Sequence, residues 1–136
     1  MSQVGSECTV ERLSPQFLVR DLDAAIAFYR DMLGFDVAFV FGGFYAGVER
    51  GGASIHLKHS DEPDPSHEYK RRHEHLDAYV RVRNIDALSA ELAGRGVALL
   101  SPLAATEWGT REFALADADG YILYFGEPIV PPEAAA

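Results

Sequence analysis

The chain has 136 residues, 48% hydrophobic and 24% charged, which is enough to bury one core without disulfide or metal staples. Its 21 acidic and 12 basic residues give a net charge of -9, a balance that repels phosphate backbones and excludes nucleic acid as an expected partner. No apolar run reaches the length of a membrane span, Met1–Glu7 carries no basic or apolar leader pattern, and Cys8 is the single cysteine, so a cytoplasmic protein without a membrane partner is expected.

Residues 1–12 are expected to form a flexible N-terminal tail. Gln16-Phe17-Leu18-Val19 reads as a short strand, after which Asp21 or Asp23 caps a helix. Leu22, Ile26, Tyr29 and Leu33 recur in that helix at spacings of three and four, and Gly34 ends it. Strands are expected over 35–40, 44–48 and 54–58, turned by the glycine pairs 42–43 and 51–52. The polar stretch 60–72, with Pro63 and Pro65, reads as a loop or a short irregular helix. Ala78–Val82 alternates as a strand, and Ile85, Leu88 and Leu92 mark a second helix that ends at Gly94 and Gly96. The last strands are expected over 97–100, 111–115 and 121–125, with Asp117-Ala118-Asp119-Gly120 as the final turn. Pro128, Pro131 and Pro132 cannot continue a sheet, so 128–136 is expected to be a flexible C-terminal tail.

The order strand, helix, strand, strand, strand occurs twice. Val19-Arg20-Asp21-Leu22-Asp23-Ala24 returns as Val82-Arg83-Asn84-Ile85-Asp86-Ala87, 63 positions on. Gly52 and Ile55-His56-Leu57 return as Gly120 and Leu123-Tyr124-Phe125, at an offset of 68. A duplicated unit follows: one α+β domain over 13–127, built from two βαβββ modules, about 13–60 and 74–127, with a linker loop over 61–73.

The run Val19 to Asp23, the segment Phe28-Tyr29-Arg30-Asp31-Met32-Leu33-Gly34-Phe35 and the turn Asp117-Ala118-Asp119-Gly120-Tyr121 resemble the vicinal oxygen chelate superfamily. That superfamily includes glyoxalase I, the extradiol dioxygenases and the bleomycin-resistance proteins. The resemblance covers about Leu13 to Glu127 and implies a curved mixed sheet around one cleft. Glu107-Trp108-Gly109-Thr110-Arg111-Glu112-Phe113-Ala114-Leu115 is similar to the Trp-Gly-x-Arg-Glu-Phe stretch of the bleomycin-resistance type, and Ile55-His56-Leu57 to its fourth strand. This implies a homodimer that sequesters a bleomycin-type or similar aromatic, cationic antibiotic without catalysis, and so confers antibiotic resistance.

Enzymes of the superfamily hold a divalent metal at four positions, which the repeat places at Ser14, His56, Asp77 and Tyr124. Only His56 and Asp77 are good ligands, so no cofactor is expected. The alternative is a metal-dependent lyase, isomerase or dioxygenase with a degenerate site around His56 and Asp77. His73 and His75 adjoin Lys70-Arg71-Arg72, a run that repels cations, and no nucleophile elbow, phosphate loop or dinucleotide motif is present. No catalytic residue is therefore assigned. The expected ligand-binding set is Trp108 for stacking, Glu107 beside it for charge, Phe39, Phe41 and Tyr45 as further rings, and His56 and Tyr124 on the cavity floor.

Overall fold

The computed structural model describes residues 7–62 and 64–129. The expected tails therefore lie partly outside the described residues, at 1–6 and 130–136. Residues 7–15 have no regular secondary structure, although Arg12 pairs with Glu49 at 3.1 Å.

β1 (Gln16–Val19) buries Phe17 and Val19 and leaves Gln16 exposed. The Asp21 carboxylate then accepts the Ala24 amide and caps α1 (Leu22–Ala27). The expected helix is present, but its second half, Phe28–Met32, widens into a π turn in which the Leu33 amide bonds the Phe28 carbonyl. The wider turn buries Tyr29, Leu33 and Phe35 together, and Gly34 exits at φ +72°. A side chain at Gly34 would meet the Arg50 guanidinium at 2.7 Å, so both backbone angle and space require glycine. β2 (Asp36–Phe41), β3 (Tyr45–Arg50) and β4 (Ala53–His59) complete a sheet ordered β1-β4-β3-β2, in which β1 runs parallel to β4.

The second module repeats this plan with β5 (Ala78–Arg81), α3 (Ile85–Gly94), β6 (Ser101–Ala105), β7 (Thr110–Ala116) and β8 (Ile122–Pro128), ordered β5-β8-β7-β6. The eight strands thus form two four-stranded mixed sheets, one per module. The duplication holds to the residue: Gln16 lies opposite His56 in the first sheet, and Tyr79 opposite Tyr124 in the second.

Two expectations need correction. The sixth strand is not 97–100 but Ser101–Ala105. Val97 is held at the helix exit by its amide bond to the Leu92 carbonyl, and the ladder to β7 starts only at Ser101 opposite Ala114. Pro102 is tolerated there because β6 is an edge strand. Pro128 belongs to β8 rather than to a tail: it lies opposite Thr110 at the strand's last position. The linker carries the short helix α2 (His67–Arg72), entered by a turn in which the Asp64 carboxylate accepts the Ser66 amide and hydroxyl. Those bonds hold the Asp64 carboxyl below its ordinary value.

One continuous core spans both modules, from Phe17, Val19 and Leu57 to Phe113, Leu115 and Leu123. Polar joints run along the same seam. Tyr29 donates to Asp117 at 2.7 Å, the Leu18 amide donates to the Tyr121 hydroxyl at 2.8 Å, and Phe17 stacks on Tyr121 at 4.1 Å. Arg50 forms a two-pronged pair with Glu91. Among the described residues no helix is long and apolar enough to cross a membrane.

Candidate functional site

Strand alternation fixes which side chains are free for function. In β4, Ile55 and Leu57 point into the core, so His56 between them faces the other way. The same face of the first sheet carries Tyr45 and Gln16. The Gln16 amide donates to the Tyr45 hydroxyl at 3.0 Å, and that hydroxyl meets His56 Nδ1 at 3.1 Å. The direction of the Tyr45–His56 bond follows the imidazole tautomer.

Phe39 lies over this group, 6.2 Å from the Tyr45 ring and edge-on to His56 at 5.4 Å. It has room because its cross-strand neighbour is Gly47, where a methyl would sit 2.3 Å from the Phe39 ring. Phe41 and Phe44 extend the ring surface, meeting edge-on at 5.6 Å. All six residues of β2 are exposed, and Phe41 is 67% accessible. Phe39, Phe41, Tyr45 and His56 therefore stand together on one open aromatic face.

The second sheet has a different centre. Glu112, next to core-facing Phe113 on β7, is only 8% exposed. Its Oε2 accepts three donors: the Tyr79 hydroxyl at 2.8 Å, the Thr110 hydroxyl at 2.8 Å and the Trp108 indole N–H at 3.2 Å. Burial, followed by the bond to this carboxylate, pushes the Tyr79 phenol up to about 12. Trp108 itself is 71% exposed, so its ring is anchored at the nitrogen and open on its surface. Gly109 turns the chain there at φ +89°, and Arg111 reaches back to Asp86 with two bonds of 2.8 and 2.9 Å.

Glu107 is exposed in the same turn and bonds to nothing among the described residues. The carboxylate tied to the indole is Glu112, which the strand period exposes: it alternates with Phe113 and pairs with Gly126. Tyr124 lies on the same face, half-buried, and lines a pocket of about 270 Å³ with Arg71, Glu74, His75 and Ser101. Burial raises its phenol above the ordinary value. Among the described residues no hydrogen bond or ring contact joins the Phe39–Tyr45–His56 group to the Trp108–Glu112 group.

The four metal positions of the superfamily enzymes do not make a divalent-metal set. Ser14 bonds Ser54 at 2.7 Å, and His56 is committed through Nδ1 to Tyr45. Asp77 is held by Lys70 on one oxygen and by the Ile122 amide on the other. Tyr124 has its phenol proton held more tightly than usual. Among the described residues, no three histidines, cysteines or acids converge as ligands.

The glyoxalase/bleomycin resistance protein/dioxygenase superfamily model matches residues 12–125. No curated protein matches the chain by sequence. Among solved structures, the bleomycin-binding protein from bleomycin-producing Streptomyces verticillus, complexed with copper(II)-bleomycin, is 26% identical, with a TM-score of 0.66 over 87% of this chain and 96% of that one. A second bleomycin-binding protein, complexed with bleomycin, is 21% identical with a TM-score of 0.69 over 87% and 98%. A glyoxalase/bleomycin resistance protein/dioxygenase from Alicyclobacillus acidocaldarius is 20% identical with a TM-score of 0.72 over 88% and 92%. The family match over nearly the whole described chain, on a fold of two repeated βαβββ modules, establishes that this chain belongs to the glyoxalase/bleomycin resistance protein/dioxygenase superfamily.

Proposed function

We propose that this chain is a non-catalytic binding protein that sequesters an aromatic, cationic small molecule of the bleomycin type. The observation that carries the reading is the Trp108–Glu112 pair: a largely exposed indole whose nitrogen is fixed to a buried carboxylate. A flat heteroaromatic group stacked on that ring gains about 0.5–1.5 kcal/mol beyond its buried area. A positive charge gains further from the ring face and from the anion behind it. The net charge of -9 attracts such a ligand at long range.

The aromatic face of the first module supports the second half of the proposal. Phe39, Phe41 and Phe44 leave more apolar surface open than a single ligand ring would cover. In a homodimer, this face of one copy closes over the Trp108 face of the other, and each cleft draws on both modules. No metal or other cofactor takes part. Drug capture in the cytoplasm, and with it antibiotic resistance, is the role this chemistry serves.

Trp108 is the chain's single tryptophan, so its fluorescence reports on the site directly. Saturable quenching by metal-free bleomycin is expected, with binding unchanged by a chelator and weakened at least tenfold in Glu112→Gln. Sedimentation is expected to give a dimer. A flat fluorescence titration together with an unchanged Tm would remove the bleomycin class as ligand.

A further inference from the structure

A cavity of about 460 Å³ lies at the seam between the modules; it meets the Trp108–Glu112 group at Tyr79 and shares no lining residue with the Phe39–His56 group. Leu33 and Phe35 wall it from the first module, and Val82 and Leu88 from the second. The β3–β4 turn at Gly51-Gly52 forms an exposed, side-chain-free rim. This volume is within the range of small-molecule sites, roughly 300–1,000 Å³.

The charge of its lining is unusual for this chain. Three arginines, Arg50, Arg81 and Arg83, border the cavity and no acid does, although the protein carries 21 acids against 12 bases. Arg50 is neutralised by Glu91, which takes two bonds of 2.8 and 3.0 Å. The side chains of Arg81 and Arg83 form no hydrogen bond or ion pair among the described residues. An apolar chamber with two uncompensated guanidinium groups at its edge matches one ligand chemistry: an apolar body ending in a carboxylate, which a guanidinium fork grips with two parallel bonds.

We propose that the seam cavity is a second ligand site, which takes an apolar monocarboxylate with its chain against Leu33, Phe35 and Leu88 and its head on Arg81 and Arg83. This site borders the cationic-ligand site above at Tyr79 and has the opposite charge preference. Because both modules wall it, its occupant also stiffens the seam that carries Tyr29–Asp117 and Arg50–Glu91.

The test uses the full chain and decanoate, followed by calorimetry. Saturable binding at one decanoate per chain is expected, with Trp108 fluorescence unchanged. The exposed double variant Arg81→Gln/Arg83→Gln is expected to weaken decanoate binding at least tenfold and to leave bleomycin titrations as they were. Leu88→Trp, which fills the chamber, should abolish decanoate binding; if that variant does not fold, the arginine variant decides alone. Absence of saturable binding, equal binding of decyltrimethylammonium, or full affinity in the double variant would each overturn the proposal. Loss of bleomycin binding by the wild-type chain would bear on the Trp108 face only.

Discussion

Asp117 is the residue whose removal tests the joint between the modules most sharply. Its carboxylate accepts the Tyr29 hydroxyl at 2.7 Å and the Asp119 and Tyr121 amides, each at 2.9 Å. Asp117→Ala removes all three hydrogen bonds and strands the Tyr29 hydroxyl, on a side chain only 1% exposed, and the buried Tyr121 amide. Each stranded buried donor costs about 1–3 kcal/mol, so a loss of about 4 kcal/mol is expected. With an unfolding entropy of about 2.1 cal/mol/K per residue, that loss lowers Tm by about 14 °C. Asp117→Asn keeps Oδ1 for both amides and presents Nδ2 to the tyrosine oxygen, so its expected cost is about 1 kcal/mol.

The pH dependence separates the two variants further. Burial raises the Asp117 carboxyl above its ordinary 3.8, against the opposing pull of its hydrogen bonds. A folded-state value above the unfolded one adds stability that is complete below 3.8 and lost as pH rises through the folded value. The wild type should therefore gain on Asp117→Asn as the solution is acidified through that value. Thermal melts followed by circular dichroism from pH 3 to 8 measure both effects. Equal losses in the alanine and asparagine variants, or an alanine loss below about 1 kcal/mol, would refute the account.

Three further outcomes follow from the same geometry. Gly47→Ala must push the Phe39 ring aside, since the new methyl would lie 2.3 Å from it; ligand affinity should fall several-fold in titrations, while Tm moves little because Phe39 is exposed. Glu91→Gln should cost about 1 kcal/mol in urea denaturation, the modest worth of a half-exposed pair. The bond from Arg50 holds the Glu91 carboxyl below its ordinary 4.5, so that contribution is present above 4.5 and fades as pH falls through the folded value, where wild-type and variant curves should converge. Alkaline ultraviolet titration should lose one phenol ionising near pH 12 in Tyr79→Phe, and Glu112→Gln should move that phenol down towards the ordinary 10.0.

The repeat and the apolar periods made the modules, a cap at Asp21 or Asp23 and the Gly34 stop readable, because each depends on neighbouring residues. The π turn at Phe28–Met32 was not readable: it accompanies the bond from Tyr29 to Asp117, 88 positions away. The sixth strand was misplaced because Val97–Leu100 is apolar enough for a strand, yet Gly96 and the Leu92 carbonyl hold its start at the helix end. At the site, adjacency to Trp108 singled out Glu107 as a carboxylate for a cationic ligand, whereas the bond from the indole to Glu112, four residues on, was not legible in the sequence. The distances from His56 and Asp77 to their actual partners were likewise set by the fold: Tyr45 across a hairpin, Lys70 from the linker helix.

The duplication, followed one strand further, explains why Glu112 rather than another acid holds the centre of the second module. Gly47 lies opposite His56, and Ala114 opposite Tyr124, so the third strands correspond at an offset of 67. Tyr45 then corresponds to Glu112, and Gln16 to Tyr79 at the first offset of 63. The contacts correspond as well: Gln16 donates to Tyr45 in one module, and Tyr79 donates to Glu112 in the other. One architectural position, on the face opposite the core, has thus become a neutral phenol among rings in the first module and a buried anion beneath an indole in the second. Two like faces would offer a ligand the same chemistry twice. Two unlike faces offer an apolar aromatic surface and an indole backed by a carboxylate, the two chemistries that the proposed ligand, part apolar and part cationic aromatic, would use.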